Sequence, residues 1–179
     1  MRLAFLDEVG FSPSQPVNAS WTLPGQRKLI PYENPRRRRL NTLAALFPDS
    51  PTPSLWWGSV PHSLTSDHLL VFVRALARLG TPLVVVLDNA SIHISRVVQE
   101  ARPVLAAEGI TLYYLPPYSP KLNAIEPYFG VIKYHDLPDR TDPTMTDLEA
   151  AVAAAFERTE ARLRKRSPLK SQHHLRPAA

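Results

Sequence analysis

Residues 83–88, Leu-Val-Val-Val-Leu-Asp, narrow the choice of fold more than any other stretch of the chain. Five consecutive apolar side chains leave a strand with no polar face, so it must be covered on both sides. Helical patterns flank it. Across residues 66–79, Leu69, Leu70, Val73, Leu76 and Leu79 recur at three- and four-residue spacing, which predicts one apolar helix face. Thr65 or Ser66 can cap that helix, and Gly80 and Pro82 stop it. A second helix is predicted from Ser95 to Gly109, with Pro103 inside it expected to kink or split it. Residues 110–115 (ITLYYL) form the next strand. Strand and helix alternate here, the pattern of an α/β sheet with helices on its faces.

The first third of the chain is strand-rich. Residues 3–7 (LAFLD) read as a short buried strand ending in a carboxylate, and residues 40–47 and 55–60 as further strands around a loop at 48–53. Another strand is expected to begin at 21–23 and to be halted by Pro24-Gly25. Downstream, residues 116–120 (PPYSP) make a rigid loop, and a helix follows around 125–134. A last helix is predicted from Thr146, with Thr146 and Glu149 as its capping box and Leu148, Val152, Phe156 and Leu163 along one side. There are no repeats. The reading is one domain over residues 1–163 and a basic tail over 164–179.

Composition limits the chemistry. The 179 residues suffice for one hydrophobic core. The absence of cysteine excludes disulfides, thiolate zinc sites and cysteine nucleophiles, and points to a reducing compartment. No apolar run reaches the length of a membrane span, and MRLAFLDE meets acids too early for a signal peptide. The net charge of +5 is unevenly placed. Residues 158–179 hold seven basic residues and one acidic; residues 27–39 hold six and one. Basic clusters on an acidic remainder suggest a polyanion beside a site that holds cations.

Asp7 and Asp88 each follow an apolar strand, and in α/β sheets the functional crevice lies beyond the carboxyl ends of strands. Side by side, two such carboxylates repel and raise each other's pKa, and a hard divalent cation removes the conflict. Glu126, just past the proline-rich loop, is a third acid delivered to the same edge. The bland alternatives are turn caps for the aspartates and, for Glu126, a capping box with Asn123. Glu8 follows Asp7 and so points to the opposite strand face.

At these residues a resemblance enters. FLDEVGF, then W-x-x-P-G, then VVVLDNASIH, then LPPYSPKLNAIEPYFGVIK resemble, in order and spacing, the catalytic domain of mariner-like insertion-sequence transposases of the DDE superfamily of endonucleases. The likeness runs from about Met1 to Lys133, and LPPYSPKLNAIE is its most specific block. It implies a ribonuclease-H-like fold, a mixed five-stranded sheet with helices on both faces. It implies two magnesium or manganese ions held by Asp7, Asp88 and Glu126. It also implies DNA as partner, both transposon ends and target, and a homodimer in the active complex. A nucleoid-associated, cytoplasmic bacterial protein with no membrane or small-molecule partner is the matching expectation.

Two departures stand out. Position 124 is alanine where the family has proline, and proline stands at 127 instead, which predicts a helix start two or three residues later. The helix-turn-helix domains that precede the family's first catalytic strand are expected to be absent, and without them the chain should cut DNA poorly and without end specificity. DNA contacts are assigned to Arg36, Arg37, Arg38 and Arg39, to Asn89 and His93 of the LDNASIH block, and to Tyr118, Asn123 and Lys133. Arg162–Arg166 are expected to join them at phosphates. Trp56 and Trp57 read as packing residues, and His173 and His174 as tail. A ribonuclease H or resolvase-like nuclease and a DNA-binding remnant without catalysis are the competing readings.

Overall fold

A computed structural model describes residues 1–13, 22–27, 29, 38–49, 53–80, 82–137 and 142–165. Five strands form one mixed sheet in the order β3-β2-β1-β4-β5. They are β1 (Arg2–Phe11), β2 (Leu40–Phe47), β3 (Ser54–Val60), β4 (Leu83–Leu87) and β5 (Ile110–Tyr114). β2 runs antiparallel to both β1 and β3, whereas β4 pairs parallel with both β1 and β5.

Side chains alternate along β1 and feed two cores. Ala4 and Leu6 join Leu83, Val85 and Leu87 of β4 under helices α1 (Ser66–Ala77) and α3 (Arg96–Ala107). Val9 and Phe11 join Ala44 and Leu46 of β2 on the other face, under α4 (Glu126–Val131) and α5 (Met145–Lys165). A short helix α2 (Ser91–Ile94) precedes α3, and a π-helical turn, Ile132–Asp136, continues α4. Helices thus cover both faces, as the apolar run of β4 requires. Among the described residues, no helix is long and apolar enough to cross a membrane.

Several boundaries differ from the sequence reading. Strand β1 does not stop at Asp7 but runs on to Phe11, because its second half pairs with β2 from Phe5↔Leu46 to Phe11↔Leu40. No strand forms at 22–23, and Trp21 lies outside the described residues. Helix α3 passes through Pro103 unsplit. The carbonyl that Pro103 cannot serve belongs to exposed Gln99, where water can replace the missing N–H. The break comes earlier, at Ser95, whose extended backbone separates α2 from α3 and whose hydroxyl accepts the Val98 N–H. The cap of α5 is Thr144 with Asp147, not Thr146 with Glu149: Thr144 Oγ1 accepts the Asp147 N–H at 3.1 Å, and Asp147 Oδ2 accepts the Thr144 N–H at 3.2 Å. Helix α5 also extends to Lys165, beyond the expected domain end at 163. Residues 166–179, including His173 and His174, lie outside the described residues.

Candidate active site

The parallel ladder between β1 and β4 ends at Phe5↔Val86. Asp7 stands two residues past that end, still held by β2 opposite Ala44, and Asp88 follows β4 directly. The aspartates therefore meet at the carboxyl edge of β4 although only one of them ends a strand. The third acid arrives through the proline-rich loop. The Leu115 N–H donates to the Leu87 carbonyl at 2.8 Å, and the Asn89 amide donates to the Leu115 carbonyl at 2.7 Å, so the loop starts beside Asp88. It ends in a short 3₁₀ turn, Pro120–Leu122, before α4. Helix α4 begins at Glu126, with Ile125 at the N-cap and Pro127 in its first turn, two residues past position 124, as the displaced proline predicts.

Asp7, Asp88 and Glu126 line one cleft of about 420 Å³, together with Asn89, Tyr118 and Asn123. Asp7 is buried, Asp88 half-buried and Glu126 exposed. Asn123 does not cap α4. Its buried amide donates to Asp7 Oδ2 at 3.0 Å, while its backbone carbonyl accepts the Glu126 N–H at 3.2 Å. One residue of the cleft thus couples the first acid to the third.

Burial pushes the Asp7 carboxyl up to about 8; the Glu8 N–H opposes this, and the charges of Asp88, Glu8 and Glu126 add to it. The Glu8 N–H donates to Asp7 Oδ1 at 2.8 Å. A buried carboxyl crowded by three other acids is unstable in its charged form unless a cation joins it. Asn123 Oδ1, also buried, has no hydrogen-bond partner among the described residues. All these donors are hard oxygens, the set that suits magnesium or manganese. The residues fit a divalent cation in this respect. Among the described residues, no group of three or more His, Asp or Glu side chains stands close enough together to hold a metal ion.

His93 was assigned to DNA and is instead fully buried, which removes it from any DNA surface. Its Nδ1 lies 2.7 Å from Asp88 Oδ1, and its Nε2 lies 3.0 Å from Glu8 Oε2. The second contact is off the line of a good hydrogen bond and counts as an ion pair. Burial alone would lower the His93 pKa, but the carboxylates of Glu8 and Asp88 outweigh it and raise it. Glu8 does sit on the opposite face from Asp7, as strand alternation requires. What sequence reasoning missed is that this face holds a histidine reaching back to Asp88.

Of the remaining candidates, Asn89 and Tyr118 line the cleft. Tyr118 is fully exposed and has φ 57°, a left-handed conformation unusual for a bulky residue. Lys133 is half-buried in the π-helical turn, its Nζ 6.0 Å from the Phe11 ring centroid. Burial lowers its pKa, the Arg39 guanidinium lowers it further, and Glu126 opposes both. Arg39 is therefore near Lys133, and its guanidinium occupies the space where a side chain at Gly10 would sit. Arg38 donates to the Pro143 carbonyl instead of standing free, and Arg36 and Arg37 lie outside the described residues. Arg162 pairs with Asp136 and Arg164 with Glu160. Trp57 packs, stacked on Phe156 with centroids 5.1 Å apart, and Trp56 is half-exposed.

Known proteins resemble this arrangement. The fold matches the Mos1 transposase paired-end complex with left transposon end at 16% identity and a TM-score of 0.63, over 92% of this chain and 53% of that one. It matches the Mos1 mariner paired end complex with Mn at 15% identity and a TM-score of 0.63, over 95% and 55%. A chain of the simian T-cell lymphotropic virus intasome complex matches at 17% identity and a TM-score of 0.53, over 84% and 46%. The chain spans about half the length of these structures. The likeness establishes the ribonuclease-H-like fold of transposase and integrase cores. No curated protein matches. A family model described as DDE superfamily endonuclease covers residues 2–149, more than half of the sequence, and the chain belongs to that family.

Proposed function

We propose that this chain is the catalytic domain of a DNA transposase that cleaves phosphodiester bonds at transposon ends and joins them to target DNA. The observation that carries the reading is the convergence of Asp7, Asp88 and Glu126, from three separate elements, on one open cleft. Two magnesium or manganese ions would be held by these three acids. Bound there, the pair supplies activation of a water or 3′-hydroxyl and charge neutralisation at the leaving oxygen.

The protein's own groups orient the reactants. Asn123 holds Asp7 and the start of α4 in one relation. Asn89 keeps the proline-rich loop against the end of β4. Lys133 and Arg39, adjacent cations near Glu126, are placed to meet backbone phosphates, which position a duplex without reading its sequence. Tyr118, projecting at the cleft, offers a face on which an unpaired base can stack. The likeness to paired-end complexes of Mos1 supports DNA as the substrate and a second copy of the chain in the active assembly.

The test is nicking of supercoiled plasmid in magnesium or manganese, beside the RNA strand of an RNA–DNA hybrid. The expected outcome is DNA nicking that chelation stops and that Asp7→Asn, Asp88→Ala and Glu126→Gln each abolish. Cleavage confined to the hybrid would replace the transposase reading with a ribonuclease H one. No cleavage of either substrate would leave a DNA-binding remnant.

A further inference from the structure

Among the described residues no ladder hydrogen bond ties β1 to β4 beyond Phe5↔Val86, because β4 ends at Leu87 while β1 runs on beside β2. Yet this is where Asp7 and Asp88 must keep a fixed relation. A side-chain link crosses the gap. Glu8 donates its backbone N–H to Asp7 Oδ1 at 2.8 Å, and its carboxylate faces His93 Nε2 at 3.0 Å. The other ring nitrogen meets Asp88 Oδ1 at 2.7 Å. From Asp7 to Asp88, this path runs through Glu8 and His93.

The histidine is anchored independently of the acids it touches. The Tyr114 hydroxyl of β5 donates to the His93 carbonyl at 2.8 Å, and the Ser66 hydroxyl of α1 donates to the neighbouring Ile92 carbonyl at 3.0 Å. The ring has no exposed surface, so it cannot turn away into water. Asp88 Oδ1 also accepts the Ala90 N–H at 2.9 Å. With two donors on Oδ1, the carboxylate is locked about its own axis. Oδ2 is left without a protein hydrogen bond among the described residues, in a residue that lines the cleft.

We propose that Glu8 and His93 are positioning residues that set the orientation of Asp88, and its spacing from Asp7, for divalent-cation binding. The proposal rests on the metal-site reading above. Groups behind a metal ligand hold it in the geometry the ion needs, and their loss typically costs about 10–100-fold in metal affinity. Neither residue lines the cleft. A purely structural role would lower thermal stability and leave the affinity of the folded protein unchanged.

The experiment titrates manganese into the full chain, follows the free ion by electron paramagnetic resonance, and records melting curves of the same samples. The variants are Glu8→Gln, His93→Gln, their double, and Asp88→Ala. The expected result is a loss of about 10–100-fold in manganese affinity for each single variant, with the double no worse than the weaker single, since both act through one link. If His93→Gln does not fold, Glu8→Gln decides, because Glu8 is only part-buried and glutamine keeps its shape. Wild-type affinity in folded Glu8→Gln, with Asp88→Ala inactive in binding, overturns the positioning role and spares the metal site. Equal binding by wild type and Asp88→Ala overturns the metal site and, with it, this proposal.

Discussion

Asp7 is a carboxyl whose titration is controlled by burial and by three neighbouring acids. Its folded pKa of about 8 lies above the ordinary 3.8, so the folded state holds a proton that the unfolded chain releases. The stability from this group is complete below about pH 4 and is lost as pH rises through about 8. Without divalent ions, the melting temperature should therefore fall between about pH 5 and pH 8. His93 shifts in the same sense, so the comparison that isolates Asp7 is wild type against Asp7→Asn, which should show a flatter profile. Magnesium added at the alkaline end should raise the wild-type melting temperature by binding the folded state alone. A profile identical in wild type and Asp7→Asn would show that the acids do not crowd Asp7. At this scale the three acids were legible in the sequence, because carboxylates next to apolar strands and after a rigid loop are conspicuous. The burial of His93 and Asn123 was not. Each is a polar side chain between apolar neighbours, Ile92 and Ile94 in one case and Leu122 and Ala124 in the other, and only the packing of distant elements shows that it is turned inward.

Elements were legible where one face pattern ruled. Strand β2 has the predicted bounds, and α1 has the predicted cap, with Thr65 and His68 closing a capping box. The misreadings have specific causes. A carboxylate in β1 looks like a terminus unless the antiparallel partner β2 is known. The start of α5 offers two Thr-x-x-acid frames two residues apart, at 144 and at 146, and local sequence does not rank them. The π-helical turn leaves no periodic trace, being one inserted residue in a short helix. Its end is held by a different interaction. Asp136 Oδ1 accepts Arg162 Nη1 at 2.9 Å, and Asp136 Oδ2 accepts the Thr159 hydroxyl at 2.6 Å. Burial would raise the Asp136 pKa, but Arg162, Thr159 and Arg158 outweigh it and hold it below the ordinary value. This contribution is present above the unfolded pKa and is lost as pH falls through the folded one. Asp136→Asn should cost about 1.5–3 kcal/mol in denaturant unfolding at neutral pH, and less in acid. An equal cost at both pH values would mean that charge is not what joins this turn to α5.

For the whole molecule, the proposed function makes the cleft and the cations Lys133 and Arg39 one surface for a polyanion. Binding to duplex DNA should weaken steeply with salt and depend little on sequence, since phosphate contacts dominate it. Replacing Arg39 and Lys133 together should reduce the slope of log affinity against log salt by about 1.8, two phosphates' worth. An unaltered slope would mean that these cations face away from DNA. The central claim is that Asp7, Asp88 and Glu126 form one cation-dependent centre for phosphodiester chemistry. Its most direct measurement is anomalous diffraction from crystals of the chain with a short DNA duplex and manganese, the duplex being included because such ions bind weakly without phosphate oxygens. The expected result is manganese signal bounded by Asp7 and Asp88, with Glu126 turned toward it and a phosphate across the cleft. Manganese bound elsewhere, with DNA in the cleft and the three carboxylates free of metal, would contradict the claim.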